Sequence, residues 1–195
     1  YATLSDISVS TSGGSGIYAA GVRVSSWSAV VNSTVTVWNA HAIWLDASTM
    51  SVVANSTAIT RNPGYSAVYL SSSDNNRVTG SYLQNVAGEG LRLAIGSDAN
   101  IVSLSTMVSE AAGLSALAIV GSSSNTILDS LVRGSTAVYI AGSPGTAVGG
   151  SVLEARDGKA YNSFALFDAE GEITAAYRKT HLFRLMSEDQ WLAPG

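Results

Sequence analysis

A glycine, or an asparagine in its place, returns through this chain at a nearly constant interval: Gly13, Asn39, Gly64, Gly88, Gly113 and Gly134, with steps of 26, 25, 24, 25 and 21 residues. Self-similarity at such a period marks a chain built from one short unit stacked on copies of itself. Gly and Asn accept the positive φ of a tight bend, so the ladder predicts one sharp bend per unit. A unit this short cannot bury an apolar face alone, and stacking must supply the core.

A second ladder keeps the same step. Ser73-Asp74-Asn75-Asn76 is followed by Ser97-Asp98-Ala99-Asn100 and by Ser122-Ser123-Ser124-Asn125. Two residues after each closing Asn stands a β-branched residue, Val78, Val102 or Ile127, and Val148 continues the series. A third ladder follows the glycines as apolar pairs at i and i+2: Ile17/Ala19, Ile43/Leu45, Val68/Leu70, Leu117/Ile119 and Val138/Ile140. That spacing is a strand with one buried face. Around Arg92 the pattern slips, and Leu91 and Leu93 take the inner places. Short β-branched runs joined by Ser, Gly, Asn and Asp turns predict a right-handed parallel β-helix of about six coils, each roughly 4.8 Å above the last. Aligned Asn side chains are expected to bond to their copies in neighbouring coils. An antiparallel sandwich also has short strands and turns, but it has no need of a constant period.

Low charge suits such a stack. Charged residues are 12% of the chain, about half the usual share. The net charge is −4 with no basic run, which argues against non-specific nucleic-acid binding. No run of 18 apolar residues is present, so no membrane span is expected. The chain has no cysteine, hence no disulfide and no Cys-ligated zinc. Its opening, Tyr1-Ala2-Thr3-Leu4, reads as that of a mature or trimmed product. Asn32-Ser33-Thr34 and Asn55-Ser56-Thr57 match glycosylation sequons.

The "S-x-x-N-x-V" coils resemble the pectate-lyase-like parallel β-helix superfamily over about residues 3–146. That resemblance implies the fold. It leaves activity open, because the superfamily includes polysaccharide lyases, hydrolases, epimerases, phage tailspikes and adhesins.

The texture changes near residues 142–155. Residues 1–154 contain five arginines and no lysine, whereas Arg156, Lys159, Arg178, Lys179 and Arg184 crowd the remainder. The reading is a β-helix domain over 1–147 and a separate C-terminal segment, a short α/β-type tail, over 148–195. In that segment Tyr161–Phe167 and Ile173–Tyr177 read as a hairpin closed by Asp168-Ala169-Glu170-Gly171. The pieces Val148-Gly149-Gly150-Ser151, Tyr161-Asn162-Ser163, Phe167 to Gly171, Tyr177 to Phe183 and Leu192-Ala193-Pro194-Gly195 resemble, in order and spacing, the nitrilase (carbon–nitrogen hydrolase) family. The resemblance implies a Cys nucleophile, a Glu base and a Lys that stabilises the tetrahedral intermediate. Lys179 occupies the place of that Lys. Glu154 matches a Glu that is not the family's base. Without a Cys the thiolate step has no nucleophile, so ancestry, fusion or engineering is implied rather than amidase turnover. The segment is expected to cap the last coil or to form an oligomer contact, since solenoid ends expose strand edges.

Three constellations could carry chemistry. Tyr18, Trp44, Tyr69 and Tyr139 lie between the inner pairs, so alternation places them outside, with Arg92 and Ala118 interrupting. An exposed aromatic row suits sugar rings; aromatic residues also simply favour strands. Asp74 and Asp98 share one place on adjacent coils. Their spacing suits either a pair of glycosidase carboxylates or oxygen ligands for Ca²⁺; Asp in a turn also commonly bonds its own backbone. The superfamily's lyases pair acidic calcium ligands with an Arg base, for which Arg77 and Arg92 are candidates. His41 precedes a strand and aligns with Ser66, and it reads as a packing or surface residue, as does His181 in the nitrilase-like motif.

The leading reading is a non-catalytic extracellular or cell-surface module, or fibre, that binds a polysaccharide or cell-surface glycan or self-assembles as a homo-oligomer. It needs no cofactor, with Ca²⁺ the one candidate. The alternatives are a polysaccharide lyase or glycoside hydrolase of the β-helix superfamily, and a fusion carrying an incomplete, inactive carbon–nitrogen hydrolase segment.

Overall fold

The computed structural model describes residues 1–11, 20–156, 159–167, 172–182 and 188–195. The chain winds as a three-sided parallel solenoid. The first side holds β1 (Ala2–Ser5), β4 (Ser28–Val31), β7 (Val52–Ala54), β10 (Arg77–Thr79), β13 (Ile101–Ser103) and β16 (Thr126–Leu128). The second holds β2 (Ser8–Thr11), β5 (Thr34–Val37), β8 (Thr57–Thr60), β11 (Tyr82–Asn85), β14 (Thr106–Ser109) and β17 (Leu131–Arg133). The third is a 6-stranded sheet of β3 (Ala20–Val24), β6 (His41–Asp46), β9 (Ser66–Ser71), β12 (Glu89–Ala94), β15 (Ser115–Val120) and β18 (Thr136–Ala141). Strands of the inner coils pair in parallel with their copies one coil up and one coil down, as the repeat requires.

The core is what alternation predicts. Val53, Val78, Val102 and Ile127 line the first side, Val35, Leu83, Met107 and Val132 the second, and Ile43/Leu45, Val68/Leu70, Leu91/Leu93 and Leu117/Ile119 the third. All are buried, and each large side chain so buried contributes roughly 1.5–3 kcal/mol.

The slip around Arg92 is confined to the corners. Leu91 pairs with Val68 below and Leu117 above, in full register. The loop before β12 is one residue short, counted from Gly88, and the corner after it is one residue long, where Ile95 and Gly96 both take positive φ of 58° and 65°. A one-residue shift within the strand would turn every inner side chain outward, so the corners absorb it instead.

The bends differ from the expectation drawn from the glycine ladder. Among its described members only Gly113 has positive φ, at 80°. Gly88 is required by a close approach: a Cβ there would lie 2.4 Å from Asn85 Nδ2 and 2.7 Å from the Tyr65 carbonyl oxygen. The left-handed bends stand elsewhere. Asp6, Asn32, Asn55, Gly80, Leu104 and Asp129 turn the chain from the first side to the second, with φ between 45° and 58°. Both sequon asparagines are therefore bend residues, and the serines after them are buried ladder members.

Buried polar ladders hold the corners. Asn76 N–H donates to Asn100 Oδ1 at 2.8 Å, and Asn100 N–H donates to Asn125 Oδ1 at 2.9 Å, as expected for aligned asparagines. Two serine ladders run alongside. Ser73, Ser97 and Ser122 donate backbone N–H to the next coil's serine Oγ at 3.1–3.2 Å. Ser33, Ser56, Ser81 and Ser105 do the same at the first corner, also at 3.1–3.2 Å.

The last coil runs into the C-terminal segment without a break. β19 (Ala147–Arg156) pairs in parallel with both β16 and β17, through Ile127↔Val148 and Val132↔Val152. It thereby joins the first two sides into a 15-stranded sheet. β20 (Lys159–Phe167) then pairs antiparallel with β19, and β21 (Ile173–Arg178) antiparallel with β20. The hairpin strands match the sequence expectation; the connecting residues 168–171 lie outside the described ones. Phe164 seats the hairpin on the solenoid. Its Cε2 would come within 2.6 Å of a Cβ at Gly149, so only glycine admits the ring there. A single short helix, α1 (Glu188–Trp191), follows among the described residues. No helix among them is long and apolar enough to cross a membrane.

Candidate functional site

The third side presents one outward row. Strand pairing aligns Arg23, Trp44, Tyr69, Arg92, Ala118 and Tyr139, one per coil. The sequence reading named all but the first. It put Tyr18 opposite Trp44 and Ile17/Ala19 inside, by counting from Gly13. The structure gives Val22 and Val24 as the inner partners of Ile43 and Leu45, and Arg23 as the outward neighbour of Trp44. The first coil carries more residues before its strand than the others do. Tyr18 itself lies outside the described residues.

Exposure divides the row. Tyr139 is 52% exposed, but Trp44 only 5%. Trp44 points away from the apolar core yet is covered. Its Nε1 donates to Ser71 Oγ at 2.8 Å, and the Arg23 guanidinium lies 5.0 Å from its ring centre. The Tyr69 ring sits 5.9 Å away on the next coil. Tyr69 is half-buried. Burial raises its phenol above the ordinary value, against the opposing charge of Arg92.

His41, read from the sequence as a packing or surface residue, packs among the aromatic rings of this side. It is the first residue of β6, and its ring stacks on Tyr69 at 4.5 Å, meets Tyr65 edge-on at 5.1 Å and lies 5.6 Å from Trp44. Ser66 N–H donates to His41 Nδ1 at 2.9 Å, which leaves the neutral ring its proton on Nε2. Desolvation lowers the imidazole pKa to about 4, opposed by the Ser66 backbone and aided by the Arg92 charge. The alignment of His41 with Ser66 was visible in the repeat; what hid its role was the fold of the aromatic neighbours around it.

Two ion pairs flank the aromatics. Arg23 binds Asp46, whose Oδ1 also accepts from Ser71 Oγ at 3.0 Å. Arg92 binds Glu89 at 2.6 Å, and Glu89 Oε2 accepts from Ser66 Oγ at 3.0 Å. The two acids are not neighbours. Asp46 aligns with the end of β9 and Glu89 with its start. They stand about 16 Å apart along the strand at ~3.3 Å per residue.

Asp74 and Asp98 do sit on adjacent coils, at the corner beside the Asn ladder. There Asp74 Oδ1 accepts the Asp98 N–H at 2.8 Å, and Asp98 Oδ1 accepts the Ser123 N–H at 2.5 Å. Each carboxylate thus has one oxygen engaged by the next coil. Among the described residues no group of three or more His, Asp or Glu side chains is placed to hold a metal ion. Lys179 lies just past β21, where its N–H donates to the Asn162 carbonyl at 2.8 Å and its carbonyl accepts from Gly195 N–H at 3.1 Å.

One family model and one solved structure agree with this geometry on fold, whereas two curated relatives match only short stretches. A 48-residue stretch is 44% identical to 2-oxoglutaramate amidase of Bacillus subtilis (strain 168), covering 25% of this chain and 18% of that protein. A 54-residue stretch is 41% identical to Hydrolase C26A3.11 of Schizosaccharomyces pombe, covering 24% and 17%. The chain therefore spans less than a fifth of the length of these curated relatives. A solved structure from Parabacteroides merdae ATCC 43184, described as a candidate glycosyl hydrolase, superposes with a TM-score of 0.54 at 9% identity, covering 71% of this chain and 81% of that one. Such a likeness shows shared fold alone. The family described as right handed beta helix region matches residues 15–163, well over half of the chain, and the chain belongs to that family.

Proposed function

We propose that this protein is a non-catalytic recognition module whose third side binds a glycan on or outside the cell surface. The observation that carries this reading is the outward row on that side. Tyr69 and Arg92 reach solvent on adjacent coils, and Tyr139 in the same line two coils beyond Arg92 with buried Ala118 between, all beside the Arg–carboxylate pairs. Sugar rings offer an apolar face to tyrosine and hydroxyls to charged side chains. Coil spacing sets Tyr69 and Arg92 about 5 Å apart and Tyr139 about 10 Å further along. The β-helix likeness to a candidate glycosyl hydrolase is consistent with a glycan ligand.

The hydrolase or lyase reading has one observation in its favour, the adjacency of Asp74 and Asp98. Their engagement with backbone N–H groups favours a corner-holding role. Asp46 and Glu89, about 16 Å apart by strand geometry, exceed the ~5–9.5 Å used by carboxylate pairs in glycosidases. Residues 148–195 are read as a segment of carbon–nitrogen hydrolase descent that serves structurally here, because this chain has no cysteine to act as nucleophile.

A glycan array probed with the parent, Tyr139→Ala and Asp74→Asn tests the reading. Tyr139 is half exposed, so its loss should leave folding intact. Binding that falls at least tenfold in Tyr139→Ala and survives in Asp74→Asn supports recognition on the third side. Release of reducing or unsaturated sugar ends by the parent, abolished by Asp74→Asn, would transfer the function to the acidic corner.

A further inference from the structure

A second outward row runs along the corner between the second and third sides. The pairing of Thr36 with Ile59, and of Asn85 with Thr60 and Ser109, carries on past the strand ends into Trp38, Arg61, Val86 and Glu110, one per coil. All four are exposed, Trp38 at 50%. The Arg61 guanidinium lies 5.1 Å from the centre of the Trp38 ring. Among the described residues Arg61 pairs with no carboxylate, whereas Arg23 and Arg92 on the third side each do. Glu110, the acid of this row, stands two coils beyond Arg61 and accepts from Gln84 Nε2. The backbone next to the pair is held. Asn62 Nδ2 donates to Asn39 Oδ1 at 2.8 Å, which ties the two coils together one residue past Arg61 and Trp38. Gly64 N–H donates to Asn62 Oδ1 at 2.9 Å, and buried Asn85 donates through Nδ2 to the carbonyls of Asn62 and Tyr65 at 3.1 and 2.6 Å.

From this geometry we infer that Trp38 and Arg61 form a binding site for a saccharide ring that carries an anionic group, a carboxylate or a sulfate. The exposed indole takes the apolar face of the ring. The guanidinium offers its planar fork of N–H donors to the oxygens of the anion, and its contact with the indole keeps it beside the ring. Neighbouring coils lie about 5 Å apart, so one ring and its substituent span the pair. The combination occurs at one level of the stack. Further along, the same places hold Val86, Glu110 and Ser135, which offer neither an aromatic face nor a cation. The Glu110 carboxylate would repel the anion, which confines the ligand to the Trp38 end of the row. Trp38 stands three residues before His41, so the site adjoins the third side. It uses none of the Tyr69–Tyr139 row and shares with the proposed function only the class of ligand.

Isothermal titration calorimetry on the full chain tests it with probes of one backbone: a glucuronic acid hexamer, its methyl ester and a sulfated glucose hexamer. The parent should bind at least one charged hexamer about tenfold more tightly than the ester, and the hexamer it prefers identifies the anion. Arg61→Gln should abolish that preference and leave binding of the ester within about threefold of the parent. Trp38→Ala should weaken charged hexamers and ester alike, about tenfold. Arg77→Gln removes another exposed arginine, on the first side, and should keep the preference. Tyr139→Ala should keep it too. All four side chains are exposed, and an unchanged circular dichroism spectrum checks each fold. A parent without charge preference, a preference that survives Arg61→Gln, Trp38→Ala binding as the parent does, or an equal loss in Arg77→Gln would each overturn the proposal. If Tyr139→Ala binds every probe as the parent does while the Arg61 effect stands, the third-side reading falls and this site remains.

Discussion

The solenoid and the hairpin that closes it are both β-sheet, but they are stabilised in different ways. In the solenoid each coil meets the polar demands of its neighbour. The Asn76–Asn100–Asn125 ladder and two serine ladders take up backbone N–H groups at corners that water does not reach. Among the described residues one buried side-chain oxygen, Ser109 Oγ, lacks a partner. In the hairpin no such repeated ladder is present among the described residues, and β21 exposes one side chain after another. Repetition lets a poorly charged, serine-rich chain bury polar atoms without leaving them unsatisfied. A strand added once has no such neighbour and must find cover elsewhere.

The comparison breaks most sharply at Asn100. It is 1% exposed, its Oδ1 accepts from Asn76 N–H, and its Nδ2 donates to the Ser73 carbonyl at 2.8 Å. Asn100→Ala leaves both groups buried without that partner. At 1–3 kcal/mol for each, the loss should be about 4 kcal/mol in urea unfolding. Ala176→Ser, at an exposed position of β21, should change stability by less than ~0.5 kcal/mol. Equal losses at the two sites would mean that the ladders do not carry the solenoid.

Much of that contrast was legible in the sequence, because a repeat writes its own alignment. Asn76, Asn100 and Asn125 announced their stacking, and the inner pairs Ile43/Leu45 to Val138/Ile140 gave the third side in register. The first coil failed because it was counted from Gly13, and a larger number of residues before β3 puts the strand five residues on, at Val22 and Val24. The candidate site was half legible. Alternation marks Trp44, Tyr69 and Tyr139 as outward, but it cannot say that Trp44 is covered, since cover comes from neighbours on other coils. His41 was discounted as a lone histidine. Its meaning lies in three aromatic rings brought around it by the stack.

That buried histidine makes the third side sensitive to acid, where the hairpin offers no comparable group among the described residues. The unfolded chain binds a proton at His41 near pH 6.5, and the folded one near pH 4. Between those values the unfolded state carries more protons, so stability falls as pH falls. The full value is present above pH 6.5, and the loss is complete below about 4. At 1.36 kcal/mol per unit it amounts to about 3 kcal/mol. Arg92 lies close enough to add its own repulsion to the imidazolium. His41→Phe should flatten the stability profile over this range in urea titrations at successive pH values. A variant with the parent's slope would place the acid sensitivity elsewhere.

The smallest expected effect concerns the corner that absorbs the slip around Arg92. Ile95 takes a φ of 58° and is 66% exposed. A β-branched residue in the left-handed region is strained, by roughly 1–2 kcal/mol. The position is held by the chain's need for an extra corner residue after β12, not by any packing of the isoleucine. Asn accepts the same φ through its short polar side chain. Ile95→Asn should therefore stabilise the solenoid by about 1 kcal/mol and raise Tm by about 2–4 °C. Relief of strain here would leave the hairpin untouched. Stabilisation of this size would separate the energetics of the coil corners from those of the strands that follow them. A destabilised variant would show instead that the isoleucine side chain makes contacts that outweigh its backbone strain.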